Sequence, residues 1–401
     1  QVFLPKGAQN MSISGVIAEF NPLHLGHQHI LNHAKQNENT VICAISGNFV
    51  QRGEPALFPK EYRVKSALMN GADIVLELPF VYATASAEIF ASSAVKILTS
   101  FGCDKIVFGT ENTTLVQLEN AVDILLSDDF DNKIKKHLEN SVSYPIARQM
   151  AFNEYDCDCN ISSPNNILAI EYLRAIRKNN YKIAPVIVNR RGADYNDDFA
   201  VDEYASATYI RNLVNENKDF KGYVPNNAYG IYQNALENCE YLNWEKFNIS
   251  ALSILRTKKS ISHQIANMAE GLENRIASAI KISANLNEIY EKVKTKRFTH
   301  SRIRRAVLSS IMNVTNDDLK ISVPYCRLLG FNTNIANILG NLAKNCKLPF
   351  VVNCSDIVNI NSTEASRVFE LENKSSDLYN LSLQKTGNCS TEMTYSVIKM
   401  K

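Results

Sequence analysis

Ser12-Ile13-Ser14-Gly15-Val16-Ile17-Ala18-Glu19-Phe20-Asn21-Pro22-Leu23-His24-Leu25-Gly26-His27-Gln28-His29-Ile30 is the stretch on which the fold turns. Ile13–Phe20 forms a near-continuous apolar run whose interruptions include Gly15 and Glu19, the pattern of a strand buried on both faces of a parallel sheet. Asn21-Pro22 then signals a turn, and the spacing from about Gly26 to Lys35 predicts a helix. A first strand passing directly into a first helix opens a Rossmann-like, doubly wound α/β fold. Ligands of such sheets sit beyond the carboxyl ends of the strands.

The same alternation continues downstream. Thr40–Ile45, Ile74–Leu78, Lys105–Phe108 and Ile183–Val188 read as further strands, and Pro59–Met69, Ala85–Leu98, Val116–Leu126 and Asn165–Lys178 as helices. Repeated βα units imply a parallel sheet covered on both faces. Past a polar junction at Lys218–Asn227 the character changes. Ala251–Lys258, Ser260–Gly271, Glu273–Ala284, Ser301–Asn313 and Asn332–Ala343 have helical periodicity, while only Phe350–Val352 and Ile357–Ile360 suggest strands. The expected organisation is an α/β domain over residues 11–220 and a mainly α-helical C-terminal domain over 221–401. Met11 directly precedes the first strand, so residues 1–10 read as an upstream or appended tail.

Composition narrows the class. With 401 residues, 45% hydrophobic and 21% charged, the chain is long enough for two domains of ordinary soluble type. A net charge of only +2 gives no global field for nucleic acid, so any basic surface must be local. Nine cysteines without a C-x-x-C fit a reducing, cytoplasmic setting. Cys157 and Cys159 have no second pair nearby, and no metal site is expected. No apolar run reaches the length of about 18 residues that a membrane span needs.

His24-Leu25-Gly26-His27 carries the sharpest chemical signal. A helix N-terminus at a strand end offers unpaired N–H groups and the positive end of the helix dipole, which suits phosphate. Two histidines three residues apart can face one anion, and Gly26 lets backbone approach it. The competing reading is an ordinary helix cap; strand position, Asn-Pro and Gly26 favour chemistry. In Ala205-Ser206-Ala207-Thr208-Tyr209-Ile210-Arg211, Ser206 and Thr208 can cap a second helix while their hydroxyls and Arg211 meet outer phosphates. Ser46–Pro55, containing Asn48, Gln51 and Arg52, follows the second strand where a loop reaches a second substrate. Gly109 ends the fourth strand, where bare backbone admits an adenosine. Asn165 and Asn166 open a helix and suit adenine or ribose; Arg190 and Arg191 follow the fifth strand and suit phosphate.

Together these motifs resemble the bacterial tRNA(Met) cytidine acetate ligases, within the HxGH nucleotidyltransferase superfamily. The matching stretches are Ala18–His27, Ser46–Pro55, Gly71–Pro79, Tyr144–Arg148, Pro164–Leu168, Ala205–Arg211 and Arg327–Asn332. The H-x-G-H marks only the superfamily; the Gly47–Pro55 and Glu77-Leu78-Pro79 stretches are more specific. The resemblance implies a two-step reaction, in which acetate and ATP give acetyl-adenylate and the acetyl passes to N4 of the wobble cytidine of elongator tRNA(Met). The residues read above for phosphate chemistry, His24, His27, Ser206, Thr208 and Arg211, are the expected catalytic set. ATP contacts fall to Ile17, Ala18, Glu19, Phe20, Asn21, Pro22, Leu23, Gly26, Gln28, His29 and Ile30. Further ATP contacts are Gly109, one of Asn165 and Asn166, and one of Arg190 and Arg191, with Mg2+ expected to accompany ATP. One departure is Asn196, where this family is expected to carry histidine.

The RNA needs a landing surface, and the densest basic stretch is Lys292–Arg305. Its Lys294, Lys296, Arg297, Arg302, Arg304 and Arg305 can hold phosphates while Phe298 or His300 stacks on a splayed base. The competing reading is a solvated helix face. Two alternatives to the ligase are a small-molecule adenylyltransferase and a non-catalytic nucleotide- or RNA-binding module on the same fold.

Overall fold

The computed structural model describes residues 12–140, 142, 144–189, 205–268 and 271–401. Residues 1–10, Arg190, Arg191 and Asn196 lie outside these. Ten strands occur among the described residues: β1 (Ile13–Ala18), β2 (Thr40–Ser46), β3 (Phe49–Val50), β4 (Glu54–Pro55), β5 (Ile74–Leu78), β6 (Lys105–Thr110), β7 (Ala184–Asn189), β8 (Cys326–Asn332), β9 (Phe350–Val351) and β10 (Ile398–Met400). The main sheet runs β10-β8-β5-β2-β1-β6-β7, with β9 paired to β8, and β3 and β4 make a separate hairpin. From β5 to β7 every pairing is parallel. The chain winds from β1 through β2 to β5, then returns to the other side of β1 for β6 and β7. The strand order therefore reverses between β1 and β6, the point where doubly wound sheets open a crevice.

Alternation along the strands divides the core. Val41, Cys43 and Ile45 of β2 pack with Leu31 of the helix Leu25–Ala34 and with Val64 and Ala67 of the helix Lys60–Met69. Ile42 and Ala44 face the other way, toward Ala91, Ala94 and Leu98 of the helix Ala87–Ser100 and Ala169 and Leu173 of the helix Pro164–Lys178. These five β2 side chains are fully buried, with Val41, Ile42 and Ile45 each contributing about 1.5–3 kcal/mol.

The second half is mainly helical, through Asn226–Glu237, Trp244–Thr257, Leu272–Ile282, Leu286–Val293, His300–Met312, Ala336–Asn345 and Thr363–Leu381. It also supplies β8, which runs antiparallel beside β5, and β10, which pairs with β8. Neither strand is evident from periodicity, because β8 carries Arg327 at a buried position and β10 has three residues. Arg327 is accommodated by Glu77 of β5 and by Glu392, at 2.9 and 2.6 Å. Two other expectations are corrected. Ile357–Ile360 is the end of a helix, Cys354–Ile360, in which Ile357 alone is buried. Residues 260–268 form turns held by an Ile265–Thr315 bridge, and Gly271 begins the next helix with φ 78°.

A buried charge cluster ties the halves together. Lys60 Nζ lies 2.7 Å from Glu77, 2.6 Å from Glu392 and 3.5 Å from Glu372. Glu77, Glu372 and Glu392 are the carboxylate group among the described residues best grouped for a metal. Lys60 and Arg327 stand between them, so the arrangement is a set of ion pairs. Three carboxylates face two cations, and the imbalance falls on Glu372. Burial and then its neighbours Glu77 and Glu392 push it up to about 8.

Candidate active site

A cleft of about 1170 Å³ opens at the β1/β6 reversal. Its floor is Val16–Asn21 from the end of β1 and Val107–Gly109 from β6, and its walls include His24, Gly26, His27 and Ile30. Gln51, Phe90, Asn165, Ser206, Thr208 and Arg211 also line it, so six widely separated stretches converge there.

The histidine motif is locally over-determined. His24 is the N-cap of the helix Leu25–Ala34, and its Nδ1 accepts from the Gly26 N–H at 3.1 Å. His27 Nδ1 accepts from the His24 N–H at 3.4 Å. The rings stack with centroids 3.7 Å apart, and Phe20 meets His27 edge-on at 5.2 Å. With both Nδ1 atoms accepting, the proton of each neutral ring resides on Nε2, so each presents an N–H donor. A Cβ on Gly26 would meet His24 Cε1 at 2.9 Å. Gly26 is thus needed to seat the His24 ring, a reason the sequence alone did not supply.

Ser206 caps the helix Ala207–Asn215 by accepting from the Tyr209 N–H at 3.0 Å, as its position predicts. Thr208 Oγ1 accepts instead from Arg211 Nη2 at 3.0 Å, while Arg211 Nη1 donates to the Asn21 carbonyl at 2.9 Å. The second helix is thereby joined to the turn before His24.

The Asn pair separates. Asn166 is fully buried, accepting from the Glu111 N–H at 3.0 Å and donating to the Asn160 and Glu111 carbonyls at 3.0 and 3.2 Å. Asn165 lines the cleft and donates to the Glu111 carboxylate. Pro22, Leu23, Gln28 and His29 do not line the cleft; Leu23 is buried and its N–H donates to Tyr232.

The Ser46–Pro55 loop has an anchored half and an open half. Asn48 is buried, donating to Ser376 at 3.1 Å and accepting from the Lys60 N–H at 2.9 Å. Gln51 reaches the cleft, its N–H donating to Glu19 at 2.8 Å and its side chain to the Ala85 carbonyl at 3.2 Å. Arg52 is outside the lining but close enough to attract the Glu19 carboxylate. Glu19 is the single carboxyl group among the described lining residues, and burial pushes its pKa up. Arg63, missed in the sequence, is fully buried and binds the ends of β1 and β2, donating to the Glu19 and Ser46 carbonyls at 2.7 and 3.1 Å. A buried arginine inside a helix gives no sequence signal.

The basic stretch docks on this loop. Arg304 pairs with Glu54 at 2.6 Å. Gly53, at φ 77°, lies so close to the next helix that a Cβ there would meet Arg305 N at 2.8 Å. Arg302 lies over the Phe298 ring, and Lys294 donates to the Phe298 carbonyl at 3.1 Å. Lys296 and Arg297 are exposed. Arg305 Nε has no hydrogen-bond partner among the described residues, and burial together with Arg302 pulls the pKa of Arg305 down to about 10. Phe298 is 3% exposed within the core, so it cannot stack on a base.

The family described as HIGH Nucleotidyl Transferase matches residues 11–393. The chain belongs to this family. A relative named tRNA(Met) cytidine acetate ligase, from Acetivibrio thermocellus, is 35% identical over 420 residues, covering 97% of this chain and all of the relative. A second of that name, from Thermosipho africanus, is 38% identical over 363 residues, covering 86% and 85%. The crystal structure of apo Thermotoga maritima TmcAL superposes with a TM-score of 0.90 at 29% identity, covering 97% of this chain and 100% of that one. The same enzyme bound with alpha-thio ATP gives 0.88 over the same shares. Within the HIGH nucleotidyltransferases, this chain is a member of the tRNA(Met) cytidine acetate ligase group, and it shares the fold of the solved TmcAL structures. No helix among the described residues is long and apolar enough to cross a membrane.

Proposed function

We propose that this chain acetylates N4 of the wobble cytidine of elongator tRNA(Met), using acetate and ATP through acetyl-adenylate. The observation that carries this reading is the convergence of the His24-capped helix end, Gln51 of the loop and Arg211 on one cleft, with the basic helix docked on the outer part of that loop. An acetate oxygen attacks the α-phosphorus of ATP and pyrophosphate departs. Negative charge then grows on the phosphoryl oxygens, where the N-terminus of Leu25–Ala34, His24, His27 and Arg211 supply donors fixed beforehand. The cytidine amine next attacks the acetyl carbonyl and AMP leaves. The protein's part is positioning and charge stabilisation, with no covalent nucleophile required.

Adenosine lies over the end of β1 and Gly109, with Asn165 rather than buried Asn166 reaching it. Arg190 or Arg191 contacts phosphate. Ser206 and Thr208 hold the helix that aims Arg211. Mg2+ would accompany ATP, held mainly by the phosphates and water, since the lone carboxyl group of the described lining is Glu19, which burial biases toward its neutral form. Lys294, Lys296, Arg297, Arg302 and Arg305 face the RNA backbone, and Arg304 fastens the stretch to the loop. Residues 11–220 form the catalytic part and 221–401 the RNA-binding part, interlocked through β8.

The test is acetate-dependent pyrophosphate release from ATP by the purified protein, with labelled acetate followed onto tRNA(Met). Label on the tRNA is the expected result. Pyrophosphate release that needs a phosphorylated small molecule instead of acetate would replace this reading with adenylyltransferase activity.

A further inference from the structure

With Phe298 buried, the half-buried His300 is the one ring left on the basic stretch for an unpaired base. Outside that stretch, one aromatic is suitably placed. Trp244, the sole tryptophan of the chain, is 38% exposed at the start of the helix Trp244–Thr257, with Phe247 edge-on to it at 6.0 Å. It stands between two grooves of about 650 and 630 Å³ that share Glu54, Pro55 and Trp244. The first extends to Asn248 and Tyr290, whose ring lies beneath the Arg304 guanidinium at 5.6 Å. The second extends to Thr208, Arg211, Asn212 and Asn215. Thr208 and Arg211 also line the main cleft, so the grooves form one path from the basic helix to the reaction centre.

We propose that Trp244 stacks on an unpaired base of the RNA substrate, holding it outside the helix stack beside the cleft. The inference rests on the reading of tRNA as the second substrate. Charge and continuity select this occupant. The path runs from Tyr290, beneath the Glu54-paired Arg304, to Arg211, so a cation stands at each end, as suits a nucleotide chain. Asn212 and Asn215 lie along it with amides that can pair with a base edge. The adenine of ATP is a poor occupant, because β1 and β6 place the nucleotide crevice on the other side of Arg211 and Thr208.

The sole tryptophan makes the test direct. Intrinsic fluorescence of the full chain is titrated with tRNA(Met), with a tRNA lacking an unpaired cytidine in its anticodon, and with ATP alone. Quenching by tRNA(Met) and none by ATP is expected, since a stacked base deactivates the indole. Trp244→Ala should raise the KM for tRNA about tenfold or more, and Trp244→Phe, which keeps a ring, should restore most of it. Quenching by ATP alone, or an unchanged KM in Trp244→Ala, overturns the proposal. Should Trp244→Ala fail to fold, the quenching pattern of the wild-type protein and the KM of Trp244→Phe still decide. If tRNA quenches but no acetyl label is transferred, the RNA site stands and the acetylation reading falls.

Discussion

Arg211 reaches across 190 residues of sequence to donate a hydrogen bond to the carbonyl of Asn21, 2.9 Å away, while its other nitrogen holds Thr208. One planar guanidinium therefore sets the angle between the turn that delivers His24 and the helix capped by Ser206. Lysine offers a point charge without that fork. Arg211→Lys should lose roughly tenfold or more in acetate-dependent pyrophosphate release, read as kcat/KM for ATP, with the melting temperature changed by only a few degrees.

His27 can be separated from its structural neighbour. His24 is a buried cap, and removing it costs about 1 kcal/mol of stability besides any chemistry. His27 is only half-buried and caps less. His27→Ala should lower acetyl-adenylate formation by about 100- to 1000-fold, the scale of one lost transition-state donor. Adenylate formation near the wild-type rate in a folded His27→Ala protein would remove the central catalytic claim.

The asparagine pair should divide between stability and binding. Asn166→Ala removes the side-chain partner of the Glu111 N–H and of two carbonyls, at a cost of about 1–3 kcal/mol in denaturant unfolding. Asn165→Ala should leave stability nearly unchanged and raise the KM for ATP. The reverse pattern would mean that the buried residue is the ligand.

Glu19 gives a pH signature. Burial raises its pKa, so its carboxyl ionises at higher pH than a free one and repels an incoming acetate only once it has ionised. As pH rises and Glu19 ionises, the KM for acetate should climb. In Glu19→Gln that climb should vanish, and a persisting slope would assign it to another group.

Glu372 gives a second signature, in stability. Its pKa is pushed up to about 8, so the folded state binds a proton that the unfolded state releases above about 4.5. Stability from this group is complete below that lower value and is lost as pH rises toward 8. Glu392 acts oppositely. Burial resists its ionisation, but Lys60 and Arg327 hold it at about 2, and its contribution fades only in acid. Between about pH 5 and 8 the melting temperature should fall faster in the wild type than in Glu372→Gln, measured by calorimetry.

Periodicity and motif position made the cleft legible, because β1, β6 and the His24 turn are local features whose residues are neighbours in sequence. The interlock was not legible. A charged Arg327 gives no local sign of a buried strand, and its partner Glu77 lies 250 residues earlier. Gly53 and Arg305 likewise give no local hint that backbone meets backbone there. Phe298 was misplaced for a related reason. An aromatic among cations suggests a base platform, yet the turn before His300 directs that ring into the core.

The antiparallel seating of β8 against β5 has a consequence during synthesis. The ribosome has made some 250 more residues after Ile74–Leu78 before the strand that seals its edge exists. In that interval the nascent sheet presents open backbone N–H and C=O groups, with Glu77 still short of the Arg327 partner, a state prone to pairing with another chain. A fragment ending near residue 220 would remain in that state permanently.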